Sequence, residues 1–142
     1  MLRPADLEAG ARAGARFFVS PGSTAGLLRA AAGMAFLPGV ATASEAIAAL
    51  EAGFRVQKFF PVEPLGGPAV LAALHGPLPE ILFCPTGSIR FDKLEGYFRL
   101  ANLVAVGGTW VAPADAIRAG DWARITALAR QTREAIDRLR PR

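Results

Sequence analysis

Five short apolar runs recur along this chain, each closing on a small-residue turn and each followed by a helical pattern. They are Arg16-Phe17-Phe18-Val19, Met34-Ala35-Phe36-Leu37, Phe54 to Phe59, Ile81-Leu82-Phe83-Cys84 and Leu103-Val104-Ala105-Val106. The closing turns are Ser20-Pro21-Gly22, Pro38-Gly39, Phe60-Pro61, Pro85-Thr86-Gly87-Ser88 and Gly107-Gly108-Thr109. Strands apolar on both faces and alternating with helices predict a parallel sheet covered by helices. Five such strands fit either an open doubly wound sheet or part of a (β/α)8 barrel, and both place ligand sites at the carboxyl ends of the strands.

The intervening segments carry helix start and stop signals. Pro4 opens a helix to Ala13, with Gly14 as its stop. Ser23 or Thr24 caps a helix to about Ala32, and Thr42 caps one through Leu50, with Ser44 and Glu45 in its first turn. Gly53 ends that helix. Pro61 to Gly67 reads as a loop, and Pro68 begins a helix through Leu74. A short helix is expected within Phe91 to Leu100, another around Pro113 to Ile117, and a long one from Asp121 to Leu139. Trp110 and Trp122 are expected to pack on the terminal helices.

At 142 residues, 52% apolar, the chain is expected to form a single domain over residues 1–142. No run of about 18 uncharged apolar residues indicates a membrane span. Cys84 is the single cysteine, so no intrachain disulfide forms and a cytoplasmic setting is expected. His75 and Cys84 cannot by themselves build a usual zinc site. His75 reads as a surface or helix-end residue, and Cys84 as a core residue. Net charge is +4, with a pI near 10.2. The one basic cluster, Arg124, Arg130, Arg133, Arg138, Arg140 and Arg142, falls opposite Ile125, Leu128, Ala129, Ile136 and Leu139 on a helical repeat. That is a solvated helix face, and no aromatic residues interleave it for base stacking, so no nucleic-acid partner is expected.

Lys58 stands out chemically. Along a strand Val56, Lys58 and Phe60 share one face, and Gln57 and Phe59 the other. Positive charge is otherwise carried by fourteen arginines, with Lys58 and Lys93 the only lysines. Lys58 is either a lysine paired with a carboxylate or reaching to water, or an amine that goes neutral in apolar surroundings and attacks a carbonyl to form a Schiff base. Arginine cannot do the latter.

Read together, Phe18-Val19-Ser20-Pro21-Gly22, Leu37-Pro38-Gly39-Val40-Ala41-Thr42, Lys58-Phe59-Phe60-Pro61-Val62-Glu63, Phe83-Cys84-Pro85-Thr86-Gly87 and Val106-Gly107-Gly108-Thr109-Trp110-Val111 resemble the 2-keto-3-deoxy-6-phosphogluconate (KDPG) aldolase family, which includes 4-hydroxy-2-oxoglutarate aldolase. The resemblance covers nearly the whole chain. It implies a (β/α)8 barrel and a metal-free, cofactor-free class I aldolase acting on a small-molecule keto acid. Lys58 would be the Schiff-base lysine. Phe60, Pro21 and Thr86 would line the pyruvate pocket. Gly87, Ser88, Gly107, Gly108 and Thr109 would hold phosphate. The family usually has Gly where Ser88 stands and Ser where Thr109 stands, so an unphosphorylated substrate stays open as an alternative.

The resemblance aligns Met1 just after the family's third strand. The chain is therefore expected to be the C-terminal portion of such a barrel, about five parallel strands with covering helices, from a start read too late or a broken gene. The family's catalytic glutamate and carboxylate-binding arginine match no residue here, and Glu63 is not assigned the glutamate's role. Unpaired sheet edges and a half-exposed inner face would invite association with another chain. A non-catalytic phosphate-binding fragment assembling with partner subunits is the second reading. The family's homotrimer is the expected oligomer.

Overall fold

The computed structural model describes residues 1–139; Arg140 and Arg142 of the basic cluster lie outside them. The strands are β1 (Phe18–Val19), β2 (Phe36–Leu37), β3 (Gly39–Val40), β4 (Val56–Phe59) and β5 (Leu82–Pro85). The helices are α1 (Pro4–Arg12), α2 (Ala25–Ala30), α3 (Ala43–Glu51), α4 (Pro68–His75), α5 (Leu94–Phe98), α6 (Ala114–Ala119) and α7 (Trp122–Leu139). Short 3-10 turns occupy Glu63–Leu65 and Phe91–Lys93.

All strand pairs are parallel: β1 with β2, and β3 with β4 and β4 with β5. Pro38 was expected to close the second strand, yet the chain continues through it into β3. Pro38 lacks an N–H, but its carbonyl still accepts from the Lys58 amide at 2.8 Å. The ladder thus shifts sides at Pro38, from β1 to β4. The expected fifth strand, Leu103 to Val106, is not continuous. Only isolated bridges Phe83↔Leu103 and Thr86↔Gly107 form there. Between the two bridges one segment advances three positions, Phe83 to Thr86, and the other four, Leu103 to Gly107, so the register slips and no regular ladder propagates.

The face of the sheet toward the helices holds the core. Phe18, Phe36, Val40, Phe59 and Phe83 are buried with Leu27, Leu28, Ala46, Ala49 and Leu71 from the helices. Phe59 and Phe83 meet edge to face at 5.7 Å between centroids, a favoured aromatic geometry. Gln57 is fully buried on the same face, and its amide donates to the Ala46 and Phe54 carbonyls at 2.9 Å each.

The caps behave as expected. Thr24 Oγ1 accepts from the Leu27 amide at 3.2 Å. Thr42 and Glu45 form a reciprocal capping box, each satisfying an orphan amide of the other. Gly53 ends α3 at φ +93°. Trp110 packs on the terminal helix, donating to Thr132 Oγ1 at 3.0 Å. Trp122, in contrast, is 64% exposed. Ala129 is exposed too, because Thr132 rather than Ala129 turns inward on α7. His75 is the last residue of α4.

Candidate active site

β4 alternates in burial as a strand covered on one side does: Gln57 and Phe59 lie under the helices, while Val56 and Lys58 face the opposite, open side. Lys58 is half-buried rather than sunk in the core, which corrects the picture of an ammonium dragged into an apolar interior. Its Nζ lies 4.7 Å from the centroid of the Phe60 ring, two residues on, as the strand period dictates. That distance is within cation–π range.

The two lysines differ sharply. Lys93 is ion-paired with Glu63. Lys58 forms no ion pair among the described residues. Of the two ordinary roles open to it, pairing with a carboxylate is thus not seen among the described residues, while reaching to water is compatible with its half-buried position.

Lys58 is flanked across the ladder by Gly39 on β3 and Cys84 on β5. Gly39 is a close-approach glycine: a Cβ there would sit 2.2 Å from the Pro21 carbonyl carbon and 2.4 Å from the Gly22 amide nitrogen. The Gly39 amide also donates to Ser20 Oγ at 3.1 Å. Gly39 and Ser20 therefore seat the Pro21 turn beside the strand next to Lys58. Sequence reasoning placed both residues in strand-closing turns and family motifs but gave neither a part in seating Pro21, which only the contact between the two turns reveals.

Cys84 was expected in the core and instead shares the open face with Lys58. Burial pushes its thiol up, against the hydrogen bond to Thr86 and the nearby Lys58 charge. It stays a neutral neighbour of Lys58.

The end of β4 is tied to the end of β5. The Thr86 amide donates to the Phe59 carbonyl at 2.9 Å, and the Val62 amide to the Thr86 carbonyl at 2.9 Å. Gly87, at φ +111°, lets its backbone approach Pro61 and the Phe60 ring; a Cβ would lie 3.0 Å from Pro61 Cα. Gly107 in turn faces Thr86, with a Cβ only 2.7 Å from Oγ1. Lys58, Phe60, Thr86, Gly87 and Gly107 are thus linked at the carboxyl ends of the strands, and Pro21 joins through Gly39.

The rest of the expected phosphate loop is less uniform. Ser88 sits exposed in the left-handed region at φ +59°, a conformation glycine takes without strain. Gly108 is covered by the Trp110 ring, 1.6 Å from where a Cβ would be, so indole packing accounts for it without a ligand. Thr109 is exposed, and its carbonyl accepts from the Ala112 amide at 3.2 Å.

Beside these loops lies a cavity of about 500 Å³, lined by Glu63, Gly66, Gly67, Pro68, Lys93 and Gly96 rather than by Lys58. In it the Glu63 carboxylate accepts from the fully buried Tyr97 hydroxyl at 2.5 Å and pairs with Lys93. Burial pushes the Glu63 carboxyl up, but the Lys93 and Tyr97 hydrogen bonds outweigh it and hold the group below its ordinary value. Burial and Glu63 together push the Tyr97 hydroxyl up. Glu63 is committed to this clamp. Its spacing to Lys93 and Tyr97, 30 and 34 residues on, gave no sequence signal.

A family description, KDPG and KHG aldolase, matches residues 1–128. The chain belongs to that family. A 2-dehydro-3-deoxy-phosphogluconate aldolase of Pseudomonas aeruginosa is 45% identical over 136 residues, covering 94% of this chain and 62% of the relative. The KHG/KDPG aldolase of Escherichia coli K12 is 42% identical, covering 94% and 64%. Among solved structures, a KDPG aldolase of Legionella pneumophila, holding pyruvate as a covalent carbinolamine, superposes with TM-score 0.86 at 40% identity, over 89% of this chain and 63% of that one. The Zymomonas mobilis ZM4 enzyme with 3-phosphoglycerate gives 0.84 at 38%, over 92% and 62%. The parallel α/β architecture is therefore that of the KDPG aldolase barrels, and this chain spans about three-fifths of its relatives' length. Among the described residues no helix is long and apolar enough to cross a membrane.

Proposed function

We propose that this chain carries the lysine of a class I aldolase that cleaves KDPG to pyruvate and glyceraldehyde 3-phosphate. The observation that carries the reading is Lys58 itself: an amine on an open strand end, over the Phe60 ring, with no carboxylate partner among the described residues. The covalent pyruvate of the Legionella relative supports it.

The Lys58 amine attacks the C2 ketone, and water leaves to give an iminium. The iminium accepts the electron pair of the breaking C3–C4 bond, giving the enamine of pyruvate and an aldehyde as the C4 hydroxyl loses its proton. Reprotonation at C3 and hydrolysis release pyruvate and restore the amine. Phe60, Pro21 and Thr86 line the pyruvate portion. The turns of Gly87-Ser88 and Gly107-Gly108-Thr109 would hold the phosphate, as glycine-rich turns after late barrel strands do; the Gly107 amide itself is already bonded to the Pro85 carbonyl at 2.9 Å, so Gly107 would serve by close backbone approach rather than as a donor. Chemistry of this type needs no metal or cofactor. A homotrimer is the proposed assembly and the cytoplasm the proposed setting.

Incubation with pyruvate and borohydride is expected to add one reduced pyruvate to Lys58, located by peptide mass spectrometry. Lys58→Arg abolishes the adduct and Lys93→Arg does not. No adduct on the native chain, or one that survives Lys58→Arg, refutes the assignment.

One observation favours a second substrate. Ser88 places a side chain in a left-handed turn where close backbone approach would serve phosphate. The unphosphorylated keto acid 4-hydroxy-2-oxoglutarate would not need that approach, and comparing its cleavage with that of KDPG separates the two.

A further inference from the structure

Where β1 gives way to the Pro21 turn, a side chain takes over a bond of the backbone ladder. The Phe18 and Ser20 amides donate to the Ala35 and Leu37 carbonyls at 2.8 and 3.3 Å. The next bond of a regular parallel ladder runs from the Gly39 amide to the Ser20 carbonyl. The Gly39 amide donates instead to Ser20 Oγ at 3.1 Å. Ser20 is 1% exposed, and its hydroxyl shares a second hydrogen bond with the Ser23 hydroxyl at 3.0 Å. With the hydroxyl in the carbonyl's place, the backbone leaves the ladder at Ser20 and turns through Pro21 while the buried Gly39 amide stays paired.

Gly39 is where two sides of the site meet. A Cβ on it would lie 2.2 Å from the Pro21 carbonyl carbon. Across the other ladder Gly39 is the direct partner of Lys58, whose amide donates to the Pro38 carbonyl at 2.8 Å. The close contact at Gly39 is one-sided: it stops the Pro21 turn from moving inward but does not hold it there. The Ser20 bond opposes outward movement, because a hydrogen bond weakens steeply outside a narrow geometry.

We propose that Ser20 is a positioning residue for capture of the keto acid. It touches no substrate; its hydroxyl sets the separation between the Pro21 turn and the strand that carries the Lys58 amine. The inference rests on the reading of Lys58 as the Schiff-base lysine and of Pro21 as lining the pyruvate portion. Buried supporting hydrogen bonds keep such groups within fractions of an ångström of a productive geometry, and small misplacements weaken capture.

The test is a series at one position. Ser20→Ala removes the acceptor; Ser20→Cys keeps a similar size with a weak acceptor. The rate of borohydride-trapped adduct on Lys58 is followed against pyruvate concentration. Ser20→Ala is expected to raise the half-saturating pyruvate by about tenfold, with Ser20→Cys between it and the native chain. The Gly39 amide is expected to lose about tenfold or more of its hydrogen-exchange protection in Ser20→Ala. Thr24→Ala removes a helix cap in the same segment; it lowers the urea midpoint and leaves the half-saturating pyruvate unchanged, which separates positioning from loss of stability. Trinitrobenzenesulfonate, an amine reagent that needs no pocket, labels Lys58 at the native rate in every variant. Unchanged Gly39 protection in Ser20→Ala, or a Thr24→Ala shift as large as that of Ser20→Ala, overturns the proposal. No adduct on the native chain refutes the Lys58 assignment and this inference with it. An adduct whose pyruvate dependence is the same in Ser20→Ala as in the native chain refutes this inference alone.

Discussion

Removing the charge of Glu63 tests whether the clamp beside the site holds the loops together. Glu63 accepts from Tyr97 and Lys93, and its amide donates to the Gly87 carbonyl at 3.4 Å. Hydrogen bonds to charged groups contribute about 1.5–3 kcal/mol each, and an exposed ion pair contributes less, about 0–1 kcal/mol. Lys93 is roughly half exposed, so most of the effect belongs to Tyr97. Glu63→Gln keeps an acceptor for the Tyr97 hydroxyl but removes the charge, and is expected to cost about 1–2 kcal/mol. Glu63→Ala also strands a buried hydroxyl and is expected to cost about 2–4 kcal/mol. With a urea slope of about 2 kcal/mol per molar, the two variants lower the denaturation midpoint by about 0.5–1 M and 1–2 M. A double-mutant cycle of Glu63→Ala with Tyr97→Phe should return a coupling of about 1–2 kcal/mol.

The pH dependence has a definite sign. The folded carboxyl lies below its ordinary value of 4.5. Its stabilisation is therefore fully present above that value and is lost as the pH falls through the lower folded one. The gap between the native chain and Glu63→Gln is expected to be constant near neutrality and to shrink in acid below pH 4.5. Coupling under about 0.5 kcal/mol, the usual scatter of independent sites, or a gap that does not change in acid, would refute the clamp.

Two further substitutions probe the loops. Gly39→Ala drives a Cβ into the Pro21 backbone and is expected to destabilise by about 3 kcal/mol, read from the urea midpoint; a cost below about 1 kcal/mol would mean the Pro21 turn is not seated as described. Ser88→Gly relieves a left-handed non-glycine residue and is expected to raise stability by a few tenths to about 1 kcal/mol, the strain relief exceeding the added unfolded-state entropy; destabilisation would show that the serine side chain holds the turn.

Much of the architecture was legible because it depends on local chemistry. Thr24 and Thr42 cap helices where their hydroxyls reach nearby amides, and Gly53 stops α3 with a dihedral open to glycine. The strand period placed Lys58 and Phe60 on one face before any contact was known. Family motifs at the strand ends singled out the same lysine from a different direction.

What stayed hidden depends on neighbours distant in sequence. Pro38 read as a terminator, since proline removes a donor; only the Lys58 amide meeting its carbonyl lets the strand continue into β3. Leu103 to Val106 has strand composition, but a slipped register leaves two bridges. Cys84 has a core residue's character, yet it faces Lys58 because β5 takes its register from β4. Local sequence thus determined which segments become strands, helices and turns, through backbone preference and apolar period. Tertiary packing alone decided which lysine Glu63 binds: it lies five residues from Lys58, but the fold turns it toward Lys93 and Tyr97.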